Sequence, residues 1–460
     1  MPVFDNILQA IGNTPLVRLN KIAGPDDAAV YAKCEFMNPG GAIKDRMAEY
    51  ILDKAERDGR LKPGATIVEN TSGNTGMGVA LWAAVHGYRC IFTMPDKMST
   101  EKVNALKAFG AEVVVTPTNV PAEDPNSYYE TAKRLHRETP GSFMLNQYHN
   151  PDNIEAHYKL TGPEVESDLQ RANLQLDFFV AGLGTGGTMS GAGKYLKEKY
   201  PASRNIGVDP EGSVYLDYFK TQKLVPTHVY KVEGIGEDML CKAMDFSVLD
   251  DVRRVDDKQS FVMARRLARE EGLFAGGSSG AAAHIAVELA KELGKGKNVV
   301  VILPDSGSRY ISKFFSDEWM KDNGFLDPTD RLGTVADLLA GKRPIVYTVT
   351  PKDSARHAVD LMKQHGISQL PVLDGVKPIA MLHEVDLLQA LIDGRHKLDE
   401  PIGGVMKPLA GVVTLRTPVS RLKELFATDH VAIVKDGDKL AAILTKIDLI
   451  DWLGTRVAVR

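Results

Sequence analysis

The first stretch that could do chemistry is Asn38-Pro39-Gly40-Gly41-Ala42-Ile43-Lys44-Asp45-Arg46, and its centre is the amine of Lys44. A lysine amine meets a carbonyl productively only after losing its proton, which requires a site that desolvates it or adds positive charge nearby. The glycines before it let the backbone pass close to a flat ligand. Alone, the motif reads equally well as a solvated lysine opening a helix, with Asp45 placed in the first turn to suit the helix dipole.

Three later loops change that balance. Glu69-Asn70-Thr71-Ser72-Gly73-Asn74-Thr75-Gly76 follows an apolar run and opens a helical one, so its N–H groups and hydroxyls suit an anion such as an α-carboxylate. Asn74 could add an amide to a ring oxygen. Ala181-Gly182-Leu183-Gly184-Thr185-Gly186-Gly187-Thr188 makes a nest of donors sized for one phosphate. It also satisfies GxGxxG at Gly182, Gly184 and Gly187, with Asp209 closing the next strand, so a nicotinamide site has to be weighed. That alternative explains neither Lys44 nor Asn74. Phe274-Ala275-Gly276-Gly277-Ser278-Ser279-Gly280 opens a third helix and presents a hydroxyl; a capped helix is its plain reading. Together, a lysine, an anion loop, a phosphate nest and a serine at a helix start are the parts that pyridoxal 5′-phosphate requires.

These loops need a scaffold. Residues 29–36, 65–70, 88–94, 111–116, 176–182, 205–209 and 298–304 are short β-branched runs, and segments such as 47–59 and 101–110 between them show helical spacing and end in glycine. Strands alternating with helices imply an α/β fold of mostly parallel strands flanked by helices. In such folds ligands bind in the loops at the carboxyl ends of strands. From 306 to 345 the pattern loosens, and it reads as a closing helix and a linker. Beyond it LPVLDGVKPIAMLHEVDLL (370–388) aligns without a gap on AIVKDGDKLAAILTKIDLI (432–450), Asp386 facing Asp448. Each copy reads strand, turn, strand, amphipathic helix. The expected domains are 1–325, a linker at 326–343, a first repeat at 344–398 and a second at 399–460.

The lysine motif, IGNTPLVRL (11–19), TSGNTG (71–76) and the glycine nest resemble the fold-type II pyridoxal-phosphate enzymes of the cysteine synthase and cystathionine β-synthase family. MPDKMSTEK (94–102), NQYHNPDNIEAHY (146–158), GVDPEGS (207–213) and VEGIGED (232–238) lie nearer the cystathionine side, and the repeat resembles a tandem CBS-domain module. The resemblance implies that Lys44 carries the cofactor, Asn74 meets its ring oxygen, Gly184, Thr185, Gly186, Gly187 and Thr188 bind its phosphate, and Ser278 meets its ring nitrogen. Thr71, Ser72, Gly73, Thr75 and Gln147 would hold the substrate carboxylate. It further implies a β-replacement joining serine to homocysteine to give cystathionine, with hydrogen sulfide from cysteine as a side activity. The freed Lys44 amine would take the Cα proton before the thiolate adds at Cβ. The shared core motifs also admit a cysteine synthase using O-acetylserine and sulfide. A third reading is an adenosyl-sensing module with an inert catalytic half, which intact Lys44 and both anion loops oppose.

Some residues depart from the family pattern. Ala42 stands where many relatives have serine, and Glu237 stands where some carry tyrosine, which bears on second-substrate contacts. The chain begins almost at the catalytic domain, so the haem-binding extension of animal members, and haem itself, are not expected. His149 and His157 read as loop histidines rather than metal ligands. In the repeat, the resemblance places an S-adenosylmethionine site at Thr445 and Asp448, with the first copy altered to His383 and Asp386. A homodimer or homotetramer is implied.

Composition fits this reading. The 460 residues carry 43% hydrophobic and 25% charged side chains and a net charge of −4, so two or three ordinary domains are expected and no polyanion or membrane partner. Cys34, Cys90 and Cys241 form neither a disulfide framework nor a zinc motif. With no leader-like or bilayer-length apolar run, a cytoplasmic location is expected.

Overall fold

The computed structural model describes residues 3–71, 73–121, 123–326, 333–340, 345–427 and 431–457. They form two compact units that part between Phe325 and Leu326. The first unit has ten strands: β1 (Leu16–Arg18), β2 (Ala29–Cys34), β3 (Thr66–Asn70), β4 (Arg89–Pro95), β5 (Glu112–Thr116), β6 (Phe143–Met144), β7 (Phe178–Gly182), β8 (Arg204–Pro210), β9 (Asp251–Val255) and β10 (Asn298–Leu303). All seven runs read from the sequence are strands. β1, β6 and β9 are additional. β1 and β6 are very short, and β9, Asp-Val-Arg-Arg-Val, lies at a sheet edge with only its valines buried.

The strands divide between two sheets. One runs β1-β2-β10-β7-β8-β9 and the other β5-β4-β3-β6, parallel throughout except where β1 meets β2. Because helices cover both faces, strand interiors such as Thr66–Asn70 are buried at every position. Each sheet packs its own core, Phe179, Leu183, Val252 and Val300 in the larger, Ile67, Trp82, Phe92 and Met94 in the smaller. The Asn74 loop leaves the carboxyl end of β3 and the glycine nest leaves that of β7, so one anion loop comes from each sheet.

The second unit repeats one motif twice. β11 (Gln369–Asp374) and β12 (Lys377–His383) form a hairpin that β13 (Lys407–Pro408) extends; β14 (Val412–Thr414) extends the hairpin of β15 (Ala432–Asp436) and β16 (Lys439–Leu444). Val372 faces Ala380 and Val434 faces Ala442, with a register irregularity directly after each valine. The helices Glu384–Ile392 and Lys446–Val457 follow. Within this second unit the borders differ from those expected. Val335 and Leu338, in the stretch read as linker, are buried in the second repeat's core behind a capping box of Thr334 and Asp337. Ile402, expected in the second repeat, is buried in the first. In each copy a further helix, Ala355–His365 in the first and Ser420–Ala427 in the second, packs into the same core, and these segments add to that cover.

Candidate active site

Lys44 is the first residue of the helix Lys44–Arg57, and the two residues after it hold that helix start in place. Asp45 accepts the Gly40 N–H at 2.6 Å, folding the glycine loop back on the helix. A Cβ on Gly40 would lie 2.5 Å from the Asp45 carboxylate, so only glycine fits. Arg46 donates to fully buried Glu35 through Nε and Nη2 at 2.7 Å each and to Glu164 through Nη1 at 2.7 Å. Lys33 closes the network with Glu164 and Asp168, both at 2.6 Å. Breaking such a buried pair strands a charge, so the network fixes where Lys44 starts. Burial brings the Lys44 amine down from 10.5 to about 8, against the opposing pull of Glu237, Cys241 and Glu69. Its Nζ lies 3.2 Å from Thr185 Oγ1, on the nest.

The nest is built from bare backbone. A Cβ on Gly184 would come within 2.8 Å of the Gly234 carbonyl, on Gly186 within 2.5 Å of Met244 Cα, and on Gly187 within 2.0 Å of Asn153 Oδ1. Gly186 also has φ +93°, outside the comfortable range of other residues. Tyr215 OH donates to the Gly184 carbonyl at 2.8 Å, and Asn153 Nδ2 donates to Thr185 Oγ1 at 3.0 Å. Asp209, which a nicotinamide site would turn to a ribose, is fully buried and accepts Leu216 N–H at 2.9 Å. His157 is not a loop histidine: it sits in a helix, fully buried, with Nδ1 2.9 Å from Thr161 Oγ1 and Nε2 3.4 Å from Thr188 Oγ1. Burial holds its pKa well below the usual imidazole range.

Lys44, Asn74, Ser278 and the stretch Gly184–Thr188 line one pocket, so the structure brings these sequence-predicted residues together. Ser278 is buried near the N-terminus of the helix Gly277–Leu293. Beside Asn74, the Thr71 hydroxyl accepts from the N–H groups of Gly73 and Gly76 at 3.0 and 3.1 Å. Thr75 Oγ1 donates to Gln147 Oε1 at 2.6 Å, and Gln147 Nε2 to the Asn70 carbonyl at 3.2 Å. Buried Glu69 accepts the Asn146 and Gln147 N–H groups at 2.7 and 3.1 Å, which sets Gln147 opposite Thr75. Ser72 lies outside the described residues. Sequence reasoning missed Gly234, Ile235, Ile302 and Pro304, which complete the lining. It also missed Asp305 and Arg309, both bonded to Asn74. In the sequence VEGIG carries only a family likeness, and residues 306–309 open the stretch that reads as a closing helix.

A family model of pyridoxal-phosphate dependent enzymes matches residues 7–305, and a CBS-domain model matches 335–393. The cystathionine β-synthase of Dictyostelium discoideum is 41% identical, across 98% of this chain and 92% of its own. The chain belongs to the cystathionine β-synthase family of pyridoxal-phosphate-dependent enzymes. Among solved structures, the O-acetylserine dependent cystathionine β-synthase from Helicobacter pylori is 37% identical, with a TM-score of 0.62 over 68% of this chain and 99% of its own. O-ureido-L-serine synthase is 36% identical, with a TM-score of 0.64 over 70% and 100%. Pyridoxal 5′-phosphate is the cofactor this membership brings, and the pocket fits it. An amine lowered by burial stands 3.2 Å from a nest whose glycines admit no side chain.

In the second unit, Asp448 Oδ2 accepts Thr445 N–H and the Thr445 hydroxyl, both at 2.8 Å, at the start of the helix Lys446–Val457. The other copy differs: His383 makes no such cap, and Asp386 lies 3.8 Å from Lys407 Nζ. Among the described residues no His, Cys, Asp and Glu cluster is arranged for a metal. No helix among them is long and apolar enough to cross a membrane.

Proposed function

We propose that this chain condenses L-serine with L-homocysteine to L-cystathionine and water, using Lys44 as the residue that carries the cofactor and moves the Cα proton. The carrying observation is the Lys44 amine, brought down to about 8 and placed at the glycine nest. Bound pyridoxal phosphate supplies a carbonyl for that amine and an electron sink for charge developing at Cα. The chain's residues do the rest. The N–H groups of Gly184, Gly186 and Gly187, with the hydroxyls of Thr185 and Thr188, hold the phosphate. Asn74 donates to the ring oxygen. Ser278, a neutral hydroxyl, meets the ring nitrogen without forcing a proton onto it, which moderates the sink toward chemistry at Cβ. Thr71, Ser72, Gly73, Thr75 and Gln147 orient the substrate carboxylate at the N-terminus of the helix Asn74–His86, which suits negative charge. Once released, the Lys44 amine has the proton affinity to take the Cα proton and return it at neutral pH.

A second reading is supported by one relative: the Helicobacter pylori protein is described as O-acetylserine dependent. Supplying serine or O-acetylserine, each with homocysteine or with sulfide, and identifying the products separates the two. Cystathionine from serine supports the first reading; products from O-acetylserine alone support the second. The repeat is proposed to bind S-adenosylmethionine at Thr445 and Asp448, where a carboxylate and a hydroxyl meet at a helix start. A cytoplasmic, reducing location suits three free, buried cysteines.

A further inference from the structure

Asn74 has two side-chain partners of opposite kind. Its Nδ2 donates to Asp305 Oδ2 at 2.9 Å, and its Oδ1 accepts from Arg309 Nη1. Those partners admit only one orientation of the amide. Turned over, its oxygen would face a carboxylate and its NH₂ a guanidinium. In the orientation found, one N–H is spent on Asp305 and the other remains for the pocket that Asn74 lines.

Both partners are themselves anchored. Asp305 is fully buried, and the same Oδ2 accepts the Tyr310 hydroxyl at 2.6 Å. Arg309 Nη2 donates to the carbonyl of Gly40, in the loop leading to Lys44. The backbone repeats this tie: Ile43 N–H donates to the Pro304 carbonyl at 2.8 Å and Ser306 N–H to that of Gly41 at 3.1 Å. On the other side, Gly276 N–H donates to the Asp305 carbonyl at 2.9 Å, next to the helix that carries Ser278. The segment after β10 is thus joined to the lysine loop, to the Asn74 amide and to the Ser278 loop.

We propose that Asp305 and Arg309 are positioning residues: they lock the Asn74 amide with an N–H toward the cofactor's ring oxygen and fix it relative to Lys44. The inference rests on the assignment of Asn74 to that oxygen. Holding a donor on the oxygen favours its anionic form, and a free amide would lose that bias.

The test compares holoenzymes by visible absorption across pH and by kcat and KM. Asp305→Leu and Arg309→Met, which keep bulk but remove the partners, are expected to shift the spectrum in the direction of Asn74→Ala and to lower kcat roughly tenfold to a hundredfold. KM should move far less. Asp305→Asn keeps an oxygen for both Asn74 and Tyr310, and Arg309→Lys keeps a donor, so both should restore the wild-type spectrum. Added to Asn74→Ala, neither disruptive change should shift the spectrum further. If Arg309→Met does not fold, the two Asp305 variants carry the same comparison. A spectrum moved by Asn74→Ala but by neither disruptive variant would overturn the positioning role while sparing the Asn74 assignment. A spectrum that Asn74→Ala leaves unmoved would overturn both.

Discussion

Lys44 is where chemistry and environment meet, and its lowered amine has two measurable consequences. Cofactor uptake by the apoenzyme needs the unprotonated amine, so the rate should climb with pH and level off above about 8. Lys44→Ala should lose the covalently held chromophore and at least about 10³-fold in turnover, measured by absorbance and steady-state assay. Ser278→Asp should hold a proton on the ring nitrogen, change the spectrum and depress β-replacement; an unchanged spectrum would place the nitrogen's partner elsewhere. His157 makes a separate prediction. Its folded pKa lies well below its ordinary 6.5, so the unfolded chain binds the extra proton first as pH falls. Stability should drop by about 1.4 kcal/mol per pH unit below that point. That share of the slope should be missing in His157→Gln, followed by urea unfolding across pH beside the wild type. At this scale the meeting of the lysine motif, Asn74, Ser278 and the nest in one pocket is legible in the sequence, because each falls in a short loop that opens a helix. Asp305 and Arg309 were not, because their role exists only where three loops converge. His157 is read as a loop residue because the helical segment 189–193 that packs on its own segment, 157–161, lies far along the chain.

The elements that hold the site depend on positions where only a hydrogen fits. Gly191 shows this away from the pocket: a Cβ there would lie 2.2 Å from the Ile154 carbonyl and 2.7 Å from Tyr158 N, both backbone atoms. Gly191→Ala should therefore push the two helices apart and cost about 1–3 kcal/mol or more in urea unfolding, as overpacking does elsewhere. A change under about 0.5 kcal/mol would mean the helices part easily. The apolar strands were legible because burial on both faces writes itself as unbroken β-branched runs. Their division into two sheets was not, since alternating strands and helices describe either arrangement equally well. Nor were the repeat's true borders legible. Thr334–Ala340 is a short capped turn whose purpose, covering Val434 and Leu444, depends on a partner surface far along the chain.

At the scale of the whole molecule, the two units carry separate cores, so ligand binding in one is expected to stabilise that unit by mass action. Calorimetry with S-adenosylmethionine should show binding in wild type and a roughly tenfold to hundredfold weakening in Asp448→Ala, because unpaired buried polar groups cost about 1–3 kcal/mol. Asp386→Ala should change it far less. Binding alters the catalytic rate only insofar as the ligand prefers one arrangement of the molecule over another. No heat of binding in wild type would leave the repeat as a structural module. The central claim concerns the reaction itself, and one measurement reaches it most directly. Purified holoenzyme is given serine with homocysteine, and the products are identified by mass spectrometry. The structure and its family membership predict cystathionine, formed at a rate that Lys44→Ala abolishes. Cystathionine absent with serine yet formed with O-acetylserine, or formed equally by Lys44→Ala, would contradict the account.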